Sequence, residues 1–235
     1  MIRAVIVEDE APARDKLRRW LRQETDIEIV GEAEDGLAAI RVLSELNPDA
    51  VFLDIRIPEI DGLELADRLT AQGAPIIVFV TAYAEHAATA FDIDAVDYLL
   101  KPYDKERFDR CITRLRQKVA GRAAAPRPLI VPIRNELRLL DGKAILWMEA
   151  EDNYVRIHTH ERDYLLRRTL QDLLGSLDPK QFLRIHRSSA VNIAEISSLR
   201  PMLHGDAEIQ LHNGKRLRVS RRYRQALRTW LATGS

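Results

Sequence analysis

The sequence predicts two unlike domains: an α/β unit on a doubly wound, five-stranded parallel sheet, then a mainly β unit. Three observations predict this. Up to about residue 118, short apolar strand-like runs alternate with helical patterns, as in successive βα units. Beyond "GRAAAPRP" (121–128), a small, basic, proline-bearing stretch, the periodicity changes to strand alternation and hairpin signals. The charge balance also reverses there. Residues 1–120 hold 16 Lys and Arg against 24 Asp and Glu, and residues 121–235 hold 20 against 12. The formal total of zero thus conceals −8 in one part and +8 in the other. The expected division is 1–119, a linker at 120–129, and 130–235.

In the first part, "RAVIV" (3–7) is a β-branched run and "APARDKLRRWLRQE" (11–24) sets Leu17, Trp20 and Leu21 at helical spacing, with Pro12 near its start. "IEIVGEA" (27–33) reads as a strand and "DGLAAIRVLSEL" (35–46) as a helix. "AVFLD" (50–54) is the third strand, and "GLELADRLTA" (62–71) the helix after it. "PIIVFVTA" (75–82), a short helix over 85–93, "VDYLL" (96–100) and a helix capped by Asp104 complete the series. Right-handed crossovers place helices on both faces of the sheet, and ligands sit beyond the carboxyl ends of its strands.

In the second part, strand-like runs flank "THERD" (159–163), a hairpin connection, and "TLQDLLGSL" (169–177) reads as one short helix. "AEIQLHNGKRLRVS" (207–220) is the clearest hairpin, with Asn213-Gly214 suited to a two-residue type I′ turn. An amphipathic helix over 221–231 buries Tyr223, Leu227 and Trp230 or Leu231.

The apolar fraction of 46% supports real cores, and no run approaches the ~20 apolar residues of a membrane span. "MIRAVIVEDE" is too short in its apolar stretch for a signal peptide. The single cysteine, Cys111, allows no internal disulfide and reads as a buried filler. These features predict a cytoplasmic protein without a membrane partner.

Chemistry concentrates at the strand ends. Glu8 and Asp9 follow the first strand, Asp54 the third, Thr81 the fourth, and Lys101 the fifth, before Pro102. Any one strand-end acid is ordinary, since helix N-termini favour negative charge. Together, however, these groups project from one edge of one sheet. Carboxylates converging there call for a hard cation, and Mg²⁺ suits oxygen ligands and phosphates. Lys101 supplies an ammonium and Thr81 a hydroxyl, the donors that a transferring phosphoryl group needs. Asp54 is then the nucleophile.

The pieces "VEDE", "FLDIRIPEIDG", "VTAY" and "DYLLKP" resemble the receiver domain of two-component response regulators, a flavodoxin-like fold, over residues 1–118. The resemblance implies that Asp54 accepts phosphate from a sensor histidine kinase. It implies that Asp9, Asp54, Glu8 through water and the Arg56 carbonyl hold Mg²⁺. Thr81 and Lys101 would grip the phosphoryl group, Tyr98 would be the aromatic switch moving with Thr81, and Lys101-Pro102 would be a cis peptide. Glu8 stands where Asp is common and Ile57 where Met is frequent; neither disturbs the phosphoacceptor.

The basic part mixes arginine with aromatic and amide side chains in "EDNYVRI", "FLRIHRSSAVNI" and "KRLRVSRRYR". Arginine reads guanine edges and grips phosphates, while Asn and His reach bases or sugars. No zinc set and no helix-turn-helix pattern is present, so β-loops would do the reading. "WMEAEDNYVRI", "FLRIHRSSAVNIAEISSL" and "LRVSRRYRQAL" resemble the all-β LytTR DNA-binding domain of the LytR/AlgR group. The resemblance implies loops entering successive major grooves of double-stranded DNA, and pairs of domains on direct repeats. It marks Asn192 and Arg222 as contacts, with Asn153 in the "EDNYV" segment; Arg187 is added from its chemistry.

The whole chain is thus expected to be a two-component response regulator, a transcription factor and not an enzyme beyond its own phosphorylation, dimeric when active. A receiver coupled to a protein-binding output is the alternative. A phosphatase reading lacks its general acid, because position 56 is Arg rather than Asp.

Overall fold

A computed structural model describes residues 1–69, 74–83, 93, 95–122, 127–134, 136–202, 206–225, 227 and 230. The chain divides into two compact units, Met1–Leu139 and Leu140–Ser235.

The first unit follows the expected βα order: β1 (Ile2–Val7), α1 (Ala11–Leu21), β2 (Ile27–Ala33), α2 (Gly36–Leu46), β3 (Ala50–Leu53), α3 (Gly62–Asp67), β4 (Ile76–Thr81), β5 (Asp97–Leu100) and α4 (Lys105–Arg122). The expected helix over 85–93 lies almost wholly outside the described residues. The strands pair in parallel in the order β2-β1-β3-β4-β5, with β1–β3, β3–β4 and β4–β5 in continuous register. β3 and β4 are buried along their whole length because helices cover both faces. One core layer gathers Val5, Leu43, Val51, Leu53 and Phe79; the other gathers Ile6, Leu17, Phe52, Phe108 and Leu115. Cys111 lies in the second layer, where burial pushes its thiol far above the ordinary range, so it packs rather than reacts.

Side-chain caps fix where the helices begin. Asp35 accepts from Ala38 N at 2.6 Å, Asp61 from Leu63 N at 2.9 Å, and Asp104 from Arg107 N at 2.8 Å. α2 ends on Asn47 in the left-handed region, φ 45°.

Asp97 at the head of β5 is buried and takes a forked pair of bonds from Arg107, at 2.8 and 2.6 Å, plus one from Arg114 at 3.0 Å. Burial alone would raise its carboxyl, but the two guanidiniums and the Tyr98 N–H outweigh it and hold it below the usual range. A carboxylate lowered on folding stabilises above its unfolded pKa, and that contribution disappears as pH falls through the folded value. Asp97→Ala strands Arg107 and is expected to cost about 3 kcal/mol at neutral pH. The loss should shrink in acid, read as unfolding midpoints in denaturant at both pH values.

A hairpin, β6 (Leu129–Ile133) with β7 (Glu136–Leu140), follows α4. Its Ile130 and Leu137 are buried in the same cluster as Ile40 and Leu43 of α2, and Arg127 pairs with Asp49. The packing seam falls at 139/140, because these apolar side chains bury against α2.

The second unit has a five-stranded antiparallel sheet ordered β10-β9-β8-β12-β11 and a three-stranded sheet ordered β13-β14-β15. The first comprises β8 (Ile145–Glu151), β9 (Tyr154–Thr159), β10 (Asp163–Leu166), β11 (Phe182–His186) and β12 (Ser189–Asn192); α5 (Leu170–Gly175) lies between β10 and β11. The second comprises β13 (Ile196–Pro201), β14 (Ala207–Leu211) and β15 (Arg216–Val219). Leu146, Ile185, Val191, Ile209, Val219 and Leu227 share one core. Only the start of the expected C-terminal helix is described continuously: a 3₁₀ turn at Arg221–Tyr223, then helical Arg224 and Gln225.

The β14–β15 hairpin forms as expected, but its turn is not type I′. Gly214 has φ 84°, Asn213 is not left-handed, Gly214 N donates to Leu211 O at 2.9 Å and Leu211 N to Lys215 O at 2.8 Å. That is a three-residue loop, a type I turn closed by a left-handed glycine. The Asn213 carboxamide accepts from Lys215 N at 3.0 Å, a role that asks for no left-handed backbone.

Candidate functional site

Parallel pairing brings the carboxyl ends of β1, β3, β4 and β5 level. Val7 pairs with Leu53, and Asp54 N donates to Val7 O at 2.9 Å, so Glu8 and Asp54 emerge side by side. Lys101 N donates to Thr81 O at 2.8 Å, which places Lys101 at the same edge, and the Lys101-Pro102 peptide is cis as expected. β1 and β3 flank the point where strand order reverses, the place where doubly wound sheets bind ligands.

The Lys101 ammonium reaches Asp54 Oδ2 at 2.7 Å and Glu8 Oε2 at 2.6 Å, with Glu10 at 3.9 Å. Glu8, Asp9 and Asp54 each offer a carboxylate oxygen, all within 4.8 Å of one another. Glu8 and Asp54 are buried, whereas Asp9 is exposed. Burial, with the Asp54 charge adding to it, pushes the Glu8 carboxyl up to about 7 against the pull of Lys101. Burial would lower Lys101, but its bonds to Asp54 and Glu8 raise it, so it stays an ammonium. Three acids against one cation leave the cluster short of positive charge, and its all-oxygen donor set fits Mg²⁺. The fully buried Thr81 hydroxyl has no hydrogen-bond partner among the described residues. A buried hydroxyl without a partner is costly unless a ligand supplies one.

Arg56 N donates to Asp54 Oδ1 at 3.3 Å, while the Arg56 side chain points out towards Asp61 and lies over the Tyr83 ring. The half-exposed Tyr98 directs its hydroxyl to the Tyr83 carbonyl, with its ring 6.1 Å from Phe79. Two supporting residues escaped the sequence reading. Arg14 Nη1 clasps the carbonyls of Glu8 and Asp9 at 2.7 and 3.3 Å. Gly62 lets α3 start against the Asp54 backbone, where a Cβ would meet Asp54 O at 2.1 Å. A glycine just after an Asp cap was a visible signal, but the close approach behind it was not.

In the second unit, Asn153, Arg187 and Arg222 are exposed, on the β8–β9 turn, the β11–β12 turn and the 3₁₀ turn after β15. Asn192, the fourth expected contact, differs from these in being buried. It is 1% exposed, its amide donates to Ile145 O at 2.8 Å, and its carbonyl oxygen accepts from Ala194 N at 3.1 Å. Both ends of the side chain are used inside the fold, so Asn192 fixes the corner after β12.

Both halves of the chain find counterparts among known proteins. The response regulator receiver domain family matches residues 4–113, and the LytTr DNA-binding domain family matches residues 135–232. A response regulatory protein of Yersinia pestis is 39% identical over 238 residues, covering 97% of this chain and 98% of the relative. The transcriptional regulatory protein BtsR of Escherichia coli K12 is 38% identical over 237 residues, covering 97% and 98%. The sensory transduction protein LytT of Bacillus anthracis is 32% identical over 244 residues, covering 98% and 99%. The chain belongs to the LytTR family of response regulators: a receiver domain joined to a LytTR DNA-binding domain, acting as a transcriptional regulator. No helix among the described residues is long and apolar enough to cross a membrane.

Proposed function

We propose that Asp54 accepts a phosphoryl group from a sensor histidine kinase in the cytoplasm, and that this controls pairing of the DNA-binding domains on direct-repeat sites. The carrying observation is the Lys101 ammonium bonded to both Asp54 and Glu8 at the edge where Thr81 keeps a buried, unpartnered hydroxyl. An Asp54 carboxylate oxygen attacks phosphorus; the P–N bond to the kinase imidazole breaks, its electron pair stays on that nitrogen, and the ring, already protonated on its other nitrogen, leaves as neutral imidazole. Lys101 and Thr81 donate to the phosphoryl oxygens as negative charge settles on them. Glu8, Asp9, Asp54 and the Arg56 carbonyl would hold Mg²⁺. When bound, Mg²⁺ supplies charge neutralisation between the acids and the phosphoryl group. Thr81 moving toward that group frees space for Tyr98 to leave the Tyr83 carbonyl, giving the receiver two states. Exposure supports Asn153, Arg187 and Arg222 as DNA contacts. Active dimers gain affinity by placing two domains on adjacent half-sites.

Stoichiometric, Mg²⁺-dependent labelling by acetyl phosphate tests the acceptor. Continuous turnover of a generic phosphomonoester would support a phosphatase instead. On the DNA side, Arg222→Ala is expected to weaken binding and cut the salt slope of log K by about 0.9, the value for one lost phosphate contact. Gel retardation across several salt concentrations reads it, and an unchanged slope removes Arg222 from the phosphate contacts.

A further inference from the structure

Arg184 lies two residues before the end of β11 and is half-buried, so its charge is not on an open face. Its guanidinium is turned back onto its own strand: Nε donates to His186 O at 3.3 Å and Nη2 to Arg187 O at 2.5 Å. The Arg184 and Arg222 guanidinium carbons each stand 5.9 Å from the Tyr223 ring centre, within cation–π range. One side chain thus touches the backbone beside Arg187 and the ring beside Arg222.

The surrounding bonds build the same junction. The β11–β12 register shifts between Arg184 and His186, and at this bulge Ile185 O accepts from Ser220 N at 2.9 Å, tying β11 to the residue before the Arg221–Tyr223 turn. Ser188 N approaches His186 Nδ1 at 3.3 Å and Ser188 Oγ lies 2.8 Å from the same nitrogen. A backbone N–H can only donate, so Nδ1 accepts, and the ring proton sits on Nε2. The tip is closed by Ser188 O, which accepts from Ala150 N at 2.7 Å. The Arg187 guanidinium, by contrast, makes no hydrogen bond to any described residue and is exposed.

We infer that Arg184 is a positioning residue for DNA recognition: it holds the 186–188 turn against the 221–223 turn, so that Arg187 and Arg222 are presented at one fixed separation. The inference rests on the reading of Arg187 and Arg222 as DNA contacts. Lysine cannot replace Arg184, because a single ammonium carries the charge but not the planar fork that spans two carbonyls and a ring.

The test uses the full-length protein, a duplex that it selects from a random pool, and an unrelated duplex of equal length. Arg184→Lys should lower affinity for the selected duplex about tenfold, the scale of one lost charge-assisted hydrogen bond, and affinity for the unrelated duplex markedly less, while the melting temperature changes too little to account for either. Arg184→Gln should leave the salt slope unaltered, since the residue neutralises no phosphate. In a double-mutant cycle, Arg184→Lys should cost little once Arg187→Ala is present. Equal loss on both duplexes, a slope reduced by about 0.9, a lowered melting temperature that accounts for the loss, or full additivity would each overturn the inference. If Arg187→Ala and Arg222→Ala are themselves silent, the underlying assignment of contacts fails instead, whatever Arg184 does.

Discussion

Asp54→Asn will reduce labelling by acetyl phosphate to background while the protein remains folded. The asparagine side chain keeps an oxygen to accept from Arg56 N, and Lys101 keeps Glu8 as its partner at 2.6 Å. What disappears is the carboxylate nucleophile and one charged hydrogen bond to Lys101. The lost bond costs no more than about 2 kcal/mol, and removing a charge that repels Glu8 offsets part of it. Circular dichroism and a denaturant midpoint close to the parent's, together with absent label, are the expected pair of results. Acid-stable label retained on the variant would move the acceptor elsewhere.

The second large effect is structural. Gly62→Ala places a methyl 2.1 Å from Asp54 O and 2.9 Å from Ile55 Cα, and both are backbone atoms that cannot swing aside. Gly62 N is held to Ile55 O at 2.7 Å, and Asp61 caps Leu63 N, so the start of α3 is tied where the clash occurs. Relief requires β3 or α3 to shift, at about 3 kcal/mol, or about 10 °C in the melting temperature of a unit this size. Because the displaced atoms belong to Asp54 itself, labelling should slow in the molecules that still fold. Gly121→Ala is the control. Its Cβ would meet nothing within 4 Å, and it lies in the last turn of α4, so it should stabilise by no more than about 0.5 kcal/mol, the low end of the mid-helix value. A Gly62→Ala protein as stable as the parent would show that the approach of α3 to β3 is looser than described.

The first unit was legible because its elements and its chemistry share one cause. Buried parallel strands must read as apolar runs, and residues just past those runs must lie at one edge. Hence Glu8, Asp54, Thr81 and Lys101 could be placed together from their positions alone. What stayed hidden depends on distances across the fold. Nothing local marks Gly62 as lying under Asp54 O, or Arg14 as the clasp on the Glu8 and Asp9 carbonyls. The hairpin of β6 and β7 looked like the start of the basic domain because its periodicity is that of strands. Ile130 and Leu137 nevertheless bury with α2, and a pattern read along the chain says nothing about which surface a strand covers.

Asn192 and Asn213 teach a related lesson. Asparagine serves turns, corners and DNA bases with the same amide, so its presence near a strand end does not choose among them. The fold shows what the letters do not: the Asn192 side chain is enclosed and bonded at both ends, whereas Asn153 is open. Arginine was the more informative residue, yet nothing local in "FLRIHRSSAVNI" shows how the Arg184 and Arg187 side chains are disposed. The fold separates a side chain bent back onto carbonyls from one that is exposed.

The most direct test is to locate the phosphoryl group. Protein incubated with acetyl phosphate and Mg²⁺ is reduced with borohydride, which converts an aspartyl phosphate to homoserine, and its peptides are mapped by mass. Homoserine at position 54 alone, absent when Mg²⁺ is chelated, is the result this account predicts. Conversion at another carboxylate, or at position 54 regardless of Mg²⁺, would contradict it.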